Sequence, residues 1–378
     1  MKIVYCIEGT FNSGGMEKII TTKANLLSEM GHSVFIITTE QRGRSPFFPI
    51  NGGIKTIDLS INYTDYLYKG VLKKVIGYFQ KRHLHKKRLT KVLKTISADI
   101  VISTFGHEVP FLYKINDGSK KIAEIHFTKN YRLLHKRSGL MRYTDIIRTF
   151  LNVLIAKKYD KFVVLTQEDK SYWGNLKNIT VIPNFLTSIP NQTAELKNKI
   201  CLAVGRMDYQ KGFDNLIKIW SIVYKSCPDW ELHIYGEGPL KETLSNMIKE
   251  AHLNKVISIY PPTKEIEKIF MQSSMYVLSS RYEGLPMVML EASSYGLPII
   301  SFSCKCGPKD IIKEGINGYL IEEGNLKDFA DKIIFLIKNM NKRSEMGKNA
   351  QLLISQYNVQ NIMKQWYILF NSLVPNNK

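Results

Sequence analysis

The chain has 378 residues, 44% of them apolar and 23% charged, and a formal net charge of +20. At roughly 150 residues per domain, this length suggests about two domains, each able to bury a core. The composition excludes a disordered or low-complexity chain apart from the terminal "PNNK".

The opening "MKIVYCIEGT" reads as a core strand, and its apolar run is too short for a signal peptide. No window approaches the roughly 18 consecutive apolar residues of a spanning helix; "FLNVLIA" (150–156) is the longest oily run in the first half, flanked by charge. The expectation is a cytoplasmic protein. The scattered, odd-numbered cysteines (Cys6, Cys201, Cys227, Cys304 and Cys306) argue against a disulfide framework. Cys304 and Cys306 lack the second Cys/His pair that a zinc site needs.

The charge is lopsided. Residues 1–183 hold 30 Lys/Arg against 14 Asp/Glu, and the remainder hold 23 against 19. Between Asp65 and Asp99 there is no acid, while Lys69 to Lys94 contains ten Lys/Arg. Such a run faces either solvent or an anionic partner.

In chain order, "KIVYCIE" (2–8) is a strand, "MEKIITTKANLLSEM" (16–30) a helix and "SVFIITTE" (33–40) the next strand. A right-handed crossover makes these strands parallel. Further strands are expected at 54–60, 98–104, 120–127, 160–166 and 178–184. The pattern then restarts: "KICLAVGR" (199–206) is a strand and "DNLIKIWSIVYKSC" (214–227) a helix, with strands at 230–238, 256–262, 275–280 and 298–303. The polar segment 187–199 reads as the linker. The tail from Asn325 is helical, ending in an amphipathic helix over 361–374. The predicted fold is α/β: two doubly wound parallel sheets, each Rossmann-like, facing a cleft where ligands bind beyond the strands' carboxyl ends.

Three loops at strand ends carry candidate chemistry. In "EGTFNSGGMEK" (8–18), Gly14 and Gly15 permit close backbone approach before a helix N-terminus that can receive an anion. A nicotinamide-binding reading fails because G-x-G-x-x-G is absent. In "GRMDYQKGF" (205–213), Arg206 and Lys211 suit a diphosphate. In "SSRYEGLPMVMLEASSYGLPIIS" (279–301), Glu283 precedes an oily helix and Glu291 lies in its second turn, with Pro286 fitting its first turn. Buried carboxylates need donors, and either a structural salt bridge or sugar hydroxyls would supply them.

Together these segments resemble the retaining, family-4-type glycosyltransferases of the GT-B fold (glycosyl transferases group 1), and the likeness covers nearly the whole chain. "NSGGMEK", "VIPN", "VGRMDYQKGFDNLI", "YGEGPLKETL", the E-x7-E stretch and "GPKDIIKEGINGYLI" carry it. The resemblance implies an acceptor-side domain over 1–186, a nucleotide-sugar-binding domain over 187–360, and a helix at 361–378 packing back on the first. It places Glu283 at the transferred sugar and Glu291 on the ribose hydroxyls. Arg206, Lys211 and the backbone of Gly284 and Leu285 would hold the diphosphate, with Gly14 and Gly15 on the donor side. His126 in "AEIHF" is the better match to the family's active-site histidine, and His107 in "TFGHEV" stays open. No D-x-D occurs, so no metal or other cofactor is expected.

The implied reaction moves a sugar, from UDP before GDP, onto a lipid-diphosphate-linked glycan in cell-surface polysaccharide or glycan synthesis. The family's usual front-side account of retention requires no protein nucleophile. The alternatives are a sugar-nucleotide epimerase of the same fold, against which E-x7-E argues, and a basic nucleic-acid-binding protein, for which no recognised module is present. Within the basic stretch, Leu72, Val75, Ile76 and Phe79 follow helical spacing, interleaved with Lys73, Lys74, Lys81 and Arg82. A membrane-facing helix at the inner face of the plasma membrane, or a solvated helix, fits that pattern.

Overall fold

A computed structural model of the protein describes residues 1–66, 70–135 and 137–374. Lys69 and the terminal "PNNK" lie outside the described residues, as does the Val71 side chain.

The first sheet contains β1 (Lys2–Ile7), β2 (Ser33–Thr38), β3 (Lys55–Asp58), β4 (Ile100–Ser103), β5 (Lys120–Glu124), β6 (Lys161–Val164) and β7 (Ile179–Val181). The second contains β8 (Ile200–Val204), β9 (Glu231–Tyr235), β10 (Ile257–Tyr260), β11 (Met275–Leu278), β12 (Ile299–Phe302) and β13 (Gly318–Ile321). Their orders are β3-β2-β1-β4-β5-β6-β7 and β10-β9-β8-β11-β12-β13. Every paired strand is parallel. Parallel strands covered on both faces read as continuous apolar runs, which is why "IVYCI" and "ICLAV" stand out.

The helices of the first half are α1 (Gly15–Glu29), α2 (Val71–Ile96), α3 (Val109–Leu112), α4 (Tyr131–Leu134), α5 (Gly139–Ala156) and α6 (Gln167–Tyr172). Those of the second half are α7 (Phe213–Ser226), α8 (Lys241–Glu250), α9 (Ile266–Gln272), α10 (Met287–Ser294), α11 (Pro308–Ile311), α12 (Leu326–Lys338), α13 (Met340–Ile354) and α14 (Val359–Leu373). On one face of the first sheet, Leu89 and Leu93 of α2, Phe111 of α3 and Ala156 of α5 share a core. On the other, Ile20 and Ala24 of α1 pack with Trp366 and Phe370 of α14. The last helix of the chain thus lies against the first sheet.

Three details depart from the sequence pattern. β13 was not expected: it is four residues long and opens on Gly318, directly after the Gly315–Asn317 turn. α10 begins at Met287, so Pro286 stands outside it as the capping residue. α14 begins at Val359, where the Asn358 side chain accepts from the Asn361 amide at 2.7 Å. All five cysteines are free and buried. Among the described residues, no helix is long and apolar enough to cross a membrane.

Candidate active site

The strand order reverses between β1 and β4 in one sheet and between β8 and β11 in the other. Loops at such switch points splay apart and leave room for a ligand. The glycine loop after β1, the Arg206–Lys211 loop after β8 and the Glu283 loop after β11 all leave strands at these points.

Glu283 is buried, and its Oε1 accepts from Lys211 Nζ and from Ser280 Oγ, each at 2.6 Å. Its backbone is fixed on both sides: the amide donates to the Lys305 carbonyl at 2.7 Å, and the carbonyl accepts from Cys306 at 3.1 Å. Lys211 is held in turn by Gly212, whose φ of +63° turns the chain beside Ser279. A Cβ at Gly212 would stand 2.3 Å from the Ser279 carbonyl oxygen, while Ser279 Oγ donates to the Lys211 carbonyl at 2.9 Å. Arg281 braces the same loop through Asp214 and the Tyr209 carbonyl, at 2.6 and 2.7 Å. Arg206 points outward at 72% side-chain exposure, with Asp208 3.6 Å away.

The two halves meet at Gly284. A Cβ there would lie 2.5 Å from the His126 carbonyl oxygen, so the absence of a side chain permits the approach. His126, Phe127, Tyr131, Glu283, Gly284 and Leu285 help line a cavity of about 320 Å³ at this junction. His107 is elsewhere, with its ring stacked on Tyr63 at 3.9 Å. The structure therefore brings His126, and not His107, to Glu283.

His126 Nε2 lies 3.2 Å from Glu124 Oε1, but neither ring nitrogen has an aligned hydrogen-bond partner. Glu124 also accepts from Lys23 Nζ at 2.5 and 2.7 Å, and both of these side chains are 1% exposed. Burial opposes the Glu124 charge, yet Lys23 and His126 outweigh it and hold the carboxyl down to about 2. The His126 ring, 5% exposed, thus rests against the Lys23–Glu124 pair at the wall of the cavity.

Glu291 projects from α10 toward the other half, where Lys18 Nζ meets its Oε1 at 3.0 Å. Lys18 follows Gly14 and Gly15: its amide donates to the Gly14 carbonyl at 3.1 Å, and Gly15 opens α1. The glycine loop and the second carboxylate thus face each other across the cleft.

Sequence reasoning missed Lys18 and Lys23, although Lys18 closes the quoted glycine motif. It also missed His135, which lines the cavity with its Nε2 3.1 Å from the Tyr282 hydroxyl. Burial, with Asp208 and Glu283 nearby, pushes that hydroxyl up to about 12, so it stays protonated.

The basic stretch divides. Lys73 and Lys74 are exposed on α2 and Arg82 is half-buried. Lys81 does not face outward as a free cation: its Nζ donates to the carbonyls of Ile61 and Asn62 and to Asp65, at 2.5, 2.9 and 2.6 Å. It ties α2 to the loop after β3, because a lysine beside two unpaired carbonyls and a carboxylate gains three partners there.

Two tandem parallel-sheet domains with facing switch-point loops define a GT-B glycosyltransferase architecture. The family model for glycosyl transferases group 1 matches residues 186–353. An uncharacterized glycosyltransferase of Haemophilus influenzae is 31% identical over 371 residues, covering 97% of this chain and 98% of the relative. The chain belongs to the group 1 glycosyltransferases. A Campylobacter jejuni alpha-1,4-N-acetyl-D-galactosaminyltransferase, named for a GalNAc- and diNAcBac-bearing PP-undecaprenol glycan, is 26% identical and covers 97% of each chain. In fold, the chain is similar to S. aureus TarM, solved with fondaparinux, alpha-GlcNAc-glycerol and UDP, at a TM-score of 0.78 and 19% identity, covering 98% of this chain and 99% of that one.

Proposed function

We propose that the enzyme is a retaining glycosyltransferase that moves a hexosyl or N-acetylhexosaminyl group from a nucleotide sugar, with UDP the first carrier to test. The acceptor in this reading is a glycan on a lipid diphosphate at the inner face of the plasma membrane. Residues 1–186 serve the acceptor, 187–360 the donor, and the helix within 361–378 braces the first domain. The carrying observation is the placement of Glu283 beside Lys211 and opposite His126, in one cavity between two switch points. The relatives' printed names support the substrate classes: one carries a PP-undecaprenol glycan and one fold neighbour was solved with UDP.

In this reading Glu291 turns from Lys18 to the ribose hydroxyls, which are neutral donors suited to a half-buried carboxylate. Lys211, Arg206 and the amides at Gly284 and Leu285 meet the diphosphate, where negative charge grows as the donor bond breaks. Glu283, released in part from Lys211, accepts from the sugar hydroxyls. The acceptor oxygen bonds to the anomeric carbon on the face from which the diphosphate oxygen leaves. The electron pair of the broken bond goes to that oxygen, and a phosphate oxygen takes the acceptor's proton. His126 holds the sugar from above. No step requires a metal.

The test has two stages. Nucleotide sugars are screened for a rise in thermal midpoint, since a ligand that binds the native state stabilises it by mass action. Each one that stabilises is then offered with extracted lipid-linked glycans, with and without EDTA. Transfer that survives EDTA with the anomeric configuration kept supports the reading. Inversion, a need for added Mg²⁺ or Mn²⁺, or an acceptor-independent change in the donor overturns it.

A further inference from the structure

α5 is turned opposite to an ordinary amphipathic helix. Its inward side chains are Asp145, Thr149 and Ala156, at 1%, 6% and 0% exposure. On the far side, Leu140, Tyr143, Ile147, Phe150, Leu151 and Leu154 are 40–81% exposed. At 3.6 residues per turn these six fall within an arc of about 100°, centred roughly half a turn from the buried residues. The helix therefore shows its oiliest stripe to the outside and packs with its small and polar side. Water disfavours such a stripe, and a contiguous exposed apolar patch marks an interaction surface.

The patch has a neighbour. Leu72, Val75, Ile76 and Phe79 on α2 are 49–73% exposed. α2 and α5 pack on the same face of the first sheet and share its core. Each follows a strand of a parallel sheet, so both begin at the carboxyl edge of the strands, where the cavity opens. The exposed apolar residues of α2 lie at its beginning, and the stripe of α5 starts at its first turn and runs along the helix. α5 starts four residues after His135, which lines the cavity.

Charge selects the occupant. Arg148 is exposed at one border of the stripe, Arg142 is exposed in the first turn with its guanidinium 3.4 Å from the Leu133 carbonyl, and Lys73 and Lys74 are exposed on α2. The single acid of α5, Asp145, is buried, and residues 66–98 hold no acid. A second copy of the chain would bring these same cations face to face across a two-fold axis. An anionic lipid surface accepts both the cations and the apolar stripe.

We infer that α5, together with the start of α2, is the membrane-docking surface of the protein. The stripe enters the boundary between headgroups and acyl chains, Arg148 reaches up to the phosphates, and Lys73 and Lys74 rest on anionic headgroups. The helix lies on the bilayer without crossing it. This inference rests on the proposed lipid-linked acceptor, because docking by α5 sets the cavity mouth at the depth of the acceptor's diphosphate.

The experiment is co-sedimentation of the full chain with vesicles of phosphatidylcholine, alone or mixed with phosphatidylglycerol, at low and high salt. The chain is compared with Ile147→Ser/Phe150→Ser and with Lys73→Glu/Lys74→Glu. Both pairs are exposed, so unchanged thermal midpoints verify folding. The serine pair is expected to lower partitioning by at least about tenfold at either salt, as two lost apolar anchors require. The glutamate pair is expected to remove the salt-sensitive part. Equal sedimentation of the chain and the serine pair overturns the inference. So does a dimer in analytical ultracentrifugation that the serine pair dissolves, which would make a second copy the occupant. Transfer to a soluble acceptor is measured in parallel. Vesicle binding lost in the serine pair, in a chain that transfers to no acceptor, retains the docking surface and rejects the proposed function.

Discussion

Glu283 and Glu291 belong to one short segment but meet different partners, and their variants are expected to fail differently. Glu283 is 7% exposed in its side chain and neutralises Lys211. Glu283→Ala would strand that cation, so Glu283→Gln is the cleaner probe because its amide oxygen still accepts from Ser280. It is expected to cut kcat at least about a hundredfold, as loss of a group that acts in the transition state does, while the thermal midpoint moves little. Glu291 is half-buried and its Lys18 pair is partly solvated, so the pair adds little to stability. Glu291→Ala is therefore expected to raise the donor KM, at a cost of about 1–3 kcal/mol, with kcat less affected. Steady-state kinetics separates the two, and two variants that lower the thermal midpoint with kinetics unchanged would return both carboxylates to structural roles. The glutamates were legible in the sequence because a carboxylate in an oily segment needs a partner. Lys18 was not, because its partner lies 273 residues away and no local pattern joins them. Lys23 reads as one more polar position on a helix until β5 brings Glu124 against it.

α2 shows how an element can be anchored by one titratable group. His85 is 1% exposed, its Nδ1 lies 3.1 Å from the Tyr63 hydroxyl, and its ring packs edge-on to Phe111. Burial, with His107 nearby, lowers its imidazole to about 3. An unfolded histidine titrates near 6.5, so between about 6.5 and 3 the unfolded chain binds a proton that the folded chain refuses. Stability is complete above this window and falls as pH falls through it, by about 2 kcal/mol at pH ~5. Urea unfolding at pH ~7 and ~5 should show that loss, and His85→Phe should remove most of it. An unchanged pH difference in the variant would mean that other groups carry it. The loss from Glu124, held to about 2, comes at lower pH, below the ordinary carboxylate range. At this scale the strands were read well, because buried parallel strands are apolar throughout. β13 escaped because four residues that open on a glycine just after a turn give too short a run. α5 was seen as an oily run, but the side it buries is fixed by packing: Asp145, Thr149 and Ala156 are buried, Ala156 within the core of the first sheet, and periodicity alone cannot say which side faces in.

The repeat of the strand–helix pattern made two domains readable from sequence, yet the relation between them depends on the last helix. The chain passes between domains twice, and the two crossings lie side by side: the Leu186 amide donates to the Tyr357 carbonyl at 2.9 Å, and Leu186 pairs with Asn358. After the second crossing, α14 returns to the first sheet, where Trp366 is 1% exposed among Ile3, Tyr5 and Ile20. Its ring lies 3.8 Å from Lys23 Nζ, so the same tryptophan covers the Lys23–Glu124 pair behind His126. The amphipathic pattern of 361–374 could be read locally, whereas its destination required a path through the whole second domain. Trp366→Ala tests that destination. Truncating a buried tryptophan costs about 3–5 kcal/mol, and here it also wets a buried ion pair. The loss should fall on the first domain although residue 366 follows the second in sequence. Urea unfolding followed by hydrogen exchange should therefore show β1 and β5 amides losing protection while β8 and β11 amides keep theirs. UDP, whose proposed contacts lie on the second domain, should raise that domain's midpoint equally in the variant and the parent chain. If protection is lost first in the second sheet, α14 belongs energetically to the donor side, and the proposed bracing of 1–186 by the last helix is wrong.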